Sequence, residues 1–377
     1  MSPEMARHRA ALRLAFAATL ALVWGTMARE PLPGLTAVLA AQILVGIPRP
    51  PRPGQAMALV AVIAGTGGAA YAVTAAFADR LTLLMAALGL LFLLGFAMRE
   101  RVAGRPSLPA TMLLNATAVV PVLTFQADVL GAGVLETLVT AAERATLIVW
   151  LLYALFPAPQ EEAAISVRAG AAPASGTPVT GRGGTARTLA KVAIVLPAQL
   201  FYLAEPTALA FPALLGLVTF LTAQDPTAGR AQLVILLLGN LVGSIAAAAA
   251  SAVLEVGPPL PALTLMALLG SLGFAGWIMT AGRRPGGAVA LTGLVTFLML
   301  FGLTASPTSF EVPVLDRISD IFVLSLYTIG TTALLLPAPE PPTAGGTAPR
   351  SRRGIRPMGR PGSRLRMHQE VTNGNGK

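Results

Sequence analysis

The stretch LTLLMAALGLLFLLGFAM, residues 81–98, contains eighteen residues and not one charged side chain. About 20 apolar residues in a helix cross the hydrocarbon core of a bilayer, so this stretch predicts a membrane-spanning helix. The rest of the chain has the same character: 54% of its 377 residues are hydrophobic, 12% are charged, and its mean hydropathy is +0.70. A soluble protein would carry charges on about a quarter of its residues. We therefore predict an all-α integral membrane protein.

About twelve transmembrane helices are predicted, arranged as two six-helix repeats. The apolar spans of the first repeat cover residues 11–28, 33–48, 55–77, 81–98, 108–127 and 134–156. The spans of the second repeat cover residues 188–204, 207–223, 231–254, 260–281, 286–304 and 313–336. We predict four regions: the first repeat at 1–157, a flexible cytoplasmic linker at 158–186, the second repeat at 187–337, and a disordered basic cytoplasmic tail at 338–377.

The positions of Lys and Arg predict how the chain crosses the membrane. If the N-terminus is cytoplasmic, 23 of the 27 Lys and Arg residues fall on the cytoplasmic side of the predicted spans. Cytoplasmic loops are enriched in these residues, so both termini are predicted to be cytoplasmic. The net charge of +10 comes mostly from the tail, where residues 341–377 carry eight Lys or Arg and one acid. This tail predicts weak attraction to anionic lipid, and no nucleic-acid partner is expected.

Two similar pairs of segments predict an internal duplication. The segment MAREPLPGLTAVLAAQ (27–42) resembles LAEPTALAFPALLGLV (203–218), which places Glu30 over Glu205. The segment VLETLVT (134–140) resembles VLDRISD (314–320), which places Glu136 over Asp316. Six spans per repeat is an even number, so both repeats enter the membrane from the cytoplasm. We therefore predict parallel repeats, related by an axis along the membrane normal.

The span at 134–156 carries three ionisable residues, Glu136, Glu143 and Arg144. With the nearby threonines they fall within about 120° of one helical face. A charge at the centre of a bilayer costs on the order of 3 kcal/mol, so this polar face is expected to point into the bundle or into a cavity.

The last span repeats this arrangement with Asp316, Arg317 and Asp320, again on one face of a helix. We predict that these six residues form a pathway for substrate and protons. In this reading an Arg binds an anionic substrate while Glu143 or Asp320 exchanges a proton. The alternative is that Arg144 and Arg317 each neutralise a carboxylate across the bundle and only hold helices together.

Asn115, in LLNATAVVPVLTFQ, and Asn240, in LLLGNLVGS, are secondary polar candidates within the spans. Such amides form hydrogen bonds between helices more often than they bind ligands. Cys is absent, and both His residues lie in the terminal segments. The spans therefore offer no His or Cys for a metal site, a catalytic thiol or a Ser-His-Asp triad, so we expect neither an enzyme nor a cofactor.

Two segments at equivalent places in the halves, PRPPRPGQAMALVAVIAGTGGAA (48–70) and DPTAGRAQLVILLLGNLVGSIAA (225–247), combine a basic loop with a Gly-Thr or Gly-Asn pair. In this feature the chain resembles the fusaric acid resistance and aromatic acid exporter superfamily of bacterial inner-membrane proteins. The resemblance implies an efflux transporter component for small, often aromatic, organic acids. It further implies a periplasmic adaptor of the membrane-fusion type, an outer-membrane channel and a homo-oligomer as partners.

Proton-motive drive is expected, because the phosphate-binding motif GxxxxGK[ST] does not occur in the chain. Two functions of other classes stay open. One is a channel, which would conduct without dependence on pH. The other is a non-transporting membrane scaffold that binds a periplasmic adaptor, in which the ionisable residues are only ion pairs.

Overall fold

The computed structural model describes residues 3–46, 49–101, 107–125, 133–157, 182–204, 211–222, 226–254, 260–282, 284–304 and 314–335. Helices within the first predicted repeat are α1 (Pro3–Met27), α2 (Pro33–Gly46), α3 (Pro53–Phe77), α4 (Leu81–Arg101), α5 (Leu108–Phe125) and α6 (Val134–Leu155). Helices within the second are α7 (Arg182–Ala204), α8 (Phe211–Thr222), α9 (Pro226–Leu254), α10 (Leu260–Ala281), α11 (Pro285–Thr304) and α12 (Val314–Leu335).

The chain has the helices of a multi-pass membrane protein. In the part that the structure describes, nine helices are long and apolar enough to cross a membrane, and α2 is a shorter apolar helix. Many large apolar side chains are exposed, among them Leu90 at 67% and Leu94 at 51% on α4. Such a surface is suited to lipid rather than to water. The all-α membrane class is therefore confirmed, while the number of spans, the duplication and the side of the termini stay predictions.

Helices α1 and α7, like α9, begin several residues before their predicted apolar spans. Helix α1 starts at Pro3, with Pro at the first helical position and Glu4 in the first turn, both favourable at a helix N-terminus. Helix α7 starts at Arg182, inside the range 158–186 that was predicted as a linker. Both helices extend beyond their apolar parts for the same reason, which is that their polar first turns can reach water. Residues 158–181 and the predicted tail lie outside the described residues.

A tight turn joins α1 to α2. Arg29 adopts a left-handed conformation with φ of 54°. The backbone N–H of Glu30 donates to the carbonyl of Gly25 (2.9 Å), and the backbone N–H of Arg29 donates to the carbonyl of Thr26 (3.1 Å). This is the hydrogen-bond pattern of a Schellman helix end. A Cβ atom on Gly25 would lie 2.8 Å from the carboxylate of Glu30 and 2.9 Å from the backbone of Pro33, so the turn closes because that residue is glycine.

Packing between the two halves is reciprocal. Helices α1 and α2 pack on α10 and α11, while α7 and α8 pack on α4 and α5. Within the halves, α3 packs on α5 as α9 packs on α11, and α2 packs on α6 as α8 packs on α12. The buried apolar residues form one cluster around α1, α2, α10 and α11 and another around α4, α5, α7 and α8. All twelve helices belong to one compact unit.

Helices α9 and α11 approach closely at glycines. A Cβ atom on Gly243 would lie 2.5 Å from the carbonyl oxygen of Gly293 and 2.8 Å from Cβ of Thr296. Small residues allow this kind of backbone approach in membrane helices. Glycine at this position therefore allows α9 and α11 to pack in close contact.

Replacing Gly243 with alanine is expected to destabilise the protein by about 1–3 kcal/mol, because the backbone of α11 would have to move. Gly273→Ala on the exposed side of α10 is the control, since no atom lies within 4 Å of its added Cβ. That control should stabilise its helix by up to about 1 kcal/mol. Thermal unfolding of the purified protein, followed by tryptophan fluorescence, measures both changes. Equal shifts for the two variants would contradict the close contact between α9 and α11.

Candidate functional site

A cavity of about 290 Å³ lies between the two halves of the chain. It is lined by α2, α3, α5 and α6 from the first half and by α8, α9 and α11 from the second. The lining residues of α3, α5 and α11 come from near the middle of each helix, so the cavity lies at mid-height in the bundle. Most of its wall is apolar, and six polar side chains interrupt it: Gln42, Thr66, Asn115, Asn240, Thr292 and Thr296.

Asn240 is held in place by a buried hydrogen bond. The hydroxyl of Thr296 on α11 donates to Oδ1 of Asn240 on α9 at 2.6 Å, and the two residues are 1% and 5% exposed. Because its oxygen is engaged by Thr296, Asn240 offers its NH2 group to the cavity. The close approach of α9 and α11 at Gly243 and Gly293 brings these two side chains together.

Asn115 contributes a second asparagine amide to the lining, from α5 of the first half. It is partly buried, and it has no hydrogen-bond partner among the residues that the structure describes. Both its carbonyl oxygen and its NH2 group are therefore available to a bound molecule. The two Asn residues proposed from the sequence as secondary candidates thus lie in one cavity, contributed by different halves.

Helix α5 is shaped next to the cavity by Pro121. A proline within a helix removes one backbone hydrogen bond and bends the helix. Just before it, the carbonyl of Ala118 accepts a hydrogen bond from Nε2 of Gln199 on α7 at 3.1 Å. Gln199 is fully buried and lies two residues after Pro197 of its own helix. This side chain therefore fixes the cavity wall of the first half to a helix of the second half.

Among the described residues that line the cavity, none is ionisable. Glu136, Glu143 and Arg144, which were predicted as part of a charged pathway, are not among these lining residues. Glu136 and Glu143 are exposed on α6, while Ala141, Ala142 and Ala145 of the same helix are buried. The expectation that the polar face of α6 points into the bundle is wrong, because small apolar residues on its other side pack against α1, α2 and α3.

Arg144 lies at the border between these two faces and forms an ion pair with Glu30 in the turn between α1 and α2. The Glu30 side chain is 9% exposed and the Arg144 side chain 29%. Oε2 of Glu30 also accepts a hydrogen bond from the hydroxyl of Thr36 at 3.1 Å. For Arg144, the structure therefore shows an ion pair of the kind that the alternative describes. Its part in a substrate pathway stays a prediction.

Asp316, Arg317 and Asp320 lie on α12, but their side chains are outside what the structure describes. Their predicted roles stay predictions. Of the eight site residues predicted from the sequence, Asn115 and Asn240 therefore line the same cavity. Arg144 forms an ion pair with Glu30.

Two more basic residues, Arg13 in the predicted span 11–28 and Lys191 in the predicted span 188–204, are buried within helices. Nη1 of Arg13 on α1 donates to the carbonyl of Phe156 at the end of α6 (3.2 Å). Nζ of Lys191 on α7 lies 3.1 Å from Glu100 on α4, and the same carboxylate accepts a hydrogen bond from Thr188 (2.6 Å). These contacts join helices and lie away from the cavity lining.

Sequence reasoning missed Gln42, Thr66, Thr292 and Thr296 as lining residues. A hydroxyl in a membrane helix usually bonds to its own backbone, as Thr66 does with the carbonyl of Val62 (2.7 Å), so residue type alone does not indicate a site. The Gly-Thr and Gly-Asn pairs were the available signal, because Thr66 and Asn240 stand at equivalent places in the two halves.

Comparison of the chain with known protein families, with curated proteins and with solved structures gives no match.

Proposed function

We propose that the chain is a transporter component of a bacterial inner membrane that exports small organic acids, aromatic ones among them. The observation that carries this proposal is the cavity at mid-height between the halves, lined by Asn115 from one half and Asn240 from the other. In transporters built from repeats, the substrate site lies near the middle of the membrane where the repeats meet.

The size and chemistry of the cavity agree with a small solute. Ligand pockets range from about 300 to 1,000 Å³ and are mostly apolar with a few polar groups that orient the ligand. A cavity of about 290 Å³ is at the lower end of that range, which suits a molecule with a single aromatic ring. The six polar side chains supply the orienting groups.

The reciprocal packing of the halves supports the proposal of two parallel repeats. Each half contributes helices to both apolar clusters, and each half contributes one asparagine to the cavity. A small rotation of one half against the other would change which end of the cavity is open. This is the motion by which repeat-built carriers expose a site alternately on each side of the membrane.

The periplasmic adaptor, the outer-membrane channel, the homo-oligomer and the proton-motive drive belong to the same proposal. They rest on the resemblance of residues 48–70 and 225–247 to aromatic acid exporters. A channel is the alternative function, and the dependence of flux on solute concentration distinguishes it. A carrier saturates when its site is occupied, whereas flux through an open channel continues to rise.

The test is exchange of labelled benzoate and benzamide across vesicles that contain the purified protein, with protein-free vesicles as the measure of leakage. Asn240→Leu is expected to lower exchange by about tenfold, the effect of losing one hydrogen bond of roughly 1.4 kcal/mol. Leu241→Ala is the control, because Leu241 is the next residue but lies on the exposed face of α9. Exchange that never exceeds leakage for either probe would contradict the proposed function.

A further inference from the structure

We infer that the cavity binds its solute in an uncharged form, so that an organic acid is carried as the protonated acid and not as the anion. This inference rests on the proposed function and specifies its substrate. It departs from the sequence prediction, in which Arg144 or Arg317 binds a carboxylate.

An anion in this cavity would find no opposite charge among the described lining residues. None of the described residues that line the cavity is ionisable. Arg144 is engaged by the carboxylate of Glu30, so binding a second anion would require breaking a buried ion pair. An ion that leaves water without a partner of opposite charge loses far more free energy than a neutral group that keeps its hydrogen bonds. The cavity therefore favours the neutral form.

The hydrogen-bonding groups of an amide also match a neutral solute. A protonated carboxyl group has one O–H donor and one carbonyl acceptor, and the amide of Asn115 has the matching acceptor and donors. A carboxylate has acceptors only, so it could use the NH2 group but would leave the amide oxygen of Asn115 without a donor. The NH2 group of Asn240 can likewise bind the carbonyl of a neutral acid or amide. Neutral acids and primary amides are thus the complementary groups.

The proton of a protonated acid needs no separate route through the protein. An acid that binds in this form carries its own proton through the cavity and releases it from the carboxyl group on the other side. Proton movement then requires no titrating side chain in the cavity wall, and none is among the described lining residues. Net movement follows the gradient of the neutral acid, which is outward when the cell makes the acid faster than it leaves. Because each exported acid takes a proton outward, inward proton flow does not drive this export, and on this point the inference replaces the proton-motive drive of the proposed function.

Binding of three probes to the purified full-length protein, measured by calorimetry, tests the inference. Benzamide is neutral, benzenesulfonate is always an anion, and the charge of benzoate depends on pH. Between about pH 7 and about pH 5 the neutral fraction of a carboxylic acid rises by roughly 100-fold. We expect the apparent Kd of benzoate to fall by a similar factor, the Kd of benzamide to stay constant, and benzenesulfonate not to bind.

Asn115→Leu supplies a variant that should fold normally, because Asn115 has no hydrogen bond within the described part of the chain to lose. It is expected to raise the Kd of benzamide about tenfold, whereas Leu241→Ala should not change it. Benzenesulfonate binding as tightly as benzamide, or benzoate affinity independent of pH, would overturn the inference and leave the proposed transporter intact. If no probe binds and none is exchanged across vesicles, both proposals are wrong.

Discussion

Replacing Arg144 with methionine is expected to destabilise the protein by about 3 kcal/mol, because the carboxylate of Glu30 would stay buried without its partner. Glu30 is enclosed by the turn between α1 and α2, where Gly25 and Thr36 contact its carboxylate. Methionine preserves much of the apolar stem of arginine, so the change mainly removes charge. Glu30→Gln should have a similar effect, since it leaves the guanidinium of Arg144 partly buried and unpaired.

The double variant Glu30→Gln with Arg144→Met separates the ion pair from general loss of packing. Two residues in direct contact do not contribute additively, so the double variant should be clearly less destabilised than the sum of the two single variants. Arg80→Met is the control, because Arg80 is exposed in the turn between α3 and α4. Chemical or thermal unfolding in detergent measures these differences. Additive effects of the two single changes would show that the residues do not interact.

Filling the cavity is expected to abolish transport and leave the fold intact. Ala116 of α5 lines the cavity beside Asn115, so the ring of Ala116→Trp would occupy space that a solute needs. Because that space lies inside an existing cavity, the substitution should cause little overpacking. We expect exchange of benzamide across vesicles to fall to the rate of protein-free vesicles.

Ala61→Trp is the matched control for the filled cavity. Ala61 lies on α3, on its exposed side, near the residues of that helix that line the cavity. Both variants should elute from size exclusion and unfold like the unmodified protein. If Ala116→Trp exchanges benzamide as fast as Ala61→Trp, the solute does not pass through this cavity and the proposed site is wrong.

Helix positions followed closely from the sequence. A predicted span at 81–98 corresponds to α4 at Leu81–Arg101, and a span at 108–127 corresponds to α5 at Leu108–Phe125. Apolar length is a local property, because every residue of a span must meet lipid or other helices. The polar helix ends at Pro3 and Arg182 were missed, because apolar length carries no information about how far a helix extends into water.

The candidate site was predictable only in part. Asn115 and Asn240 stand out because uncharged amides are uncommon within long apolar spans, and both residues line the cavity. Both residues line one cavity because of how α5 and α9 are placed in the bundle. The sequence of neither helix predicts that placement. The hydroxyl of Thr296 that orients Asn240 belongs to a third helix.

The sequence by itself determined that this is a helical membrane protein and where its helices lie, because both depend on the length of uninterrupted apolar segments. It also determined that Glu136, Glu143 and Arg144 share one side of α6, since helical periodicity alone sets that angle. Only the tertiary structure decided that this side turns away from the bundle and that Arg144 meets Glu30. The physical reason is that the orientation of a helix is set by the small and apolar residues that pack against its neighbours, and those neighbours are distant in sequence.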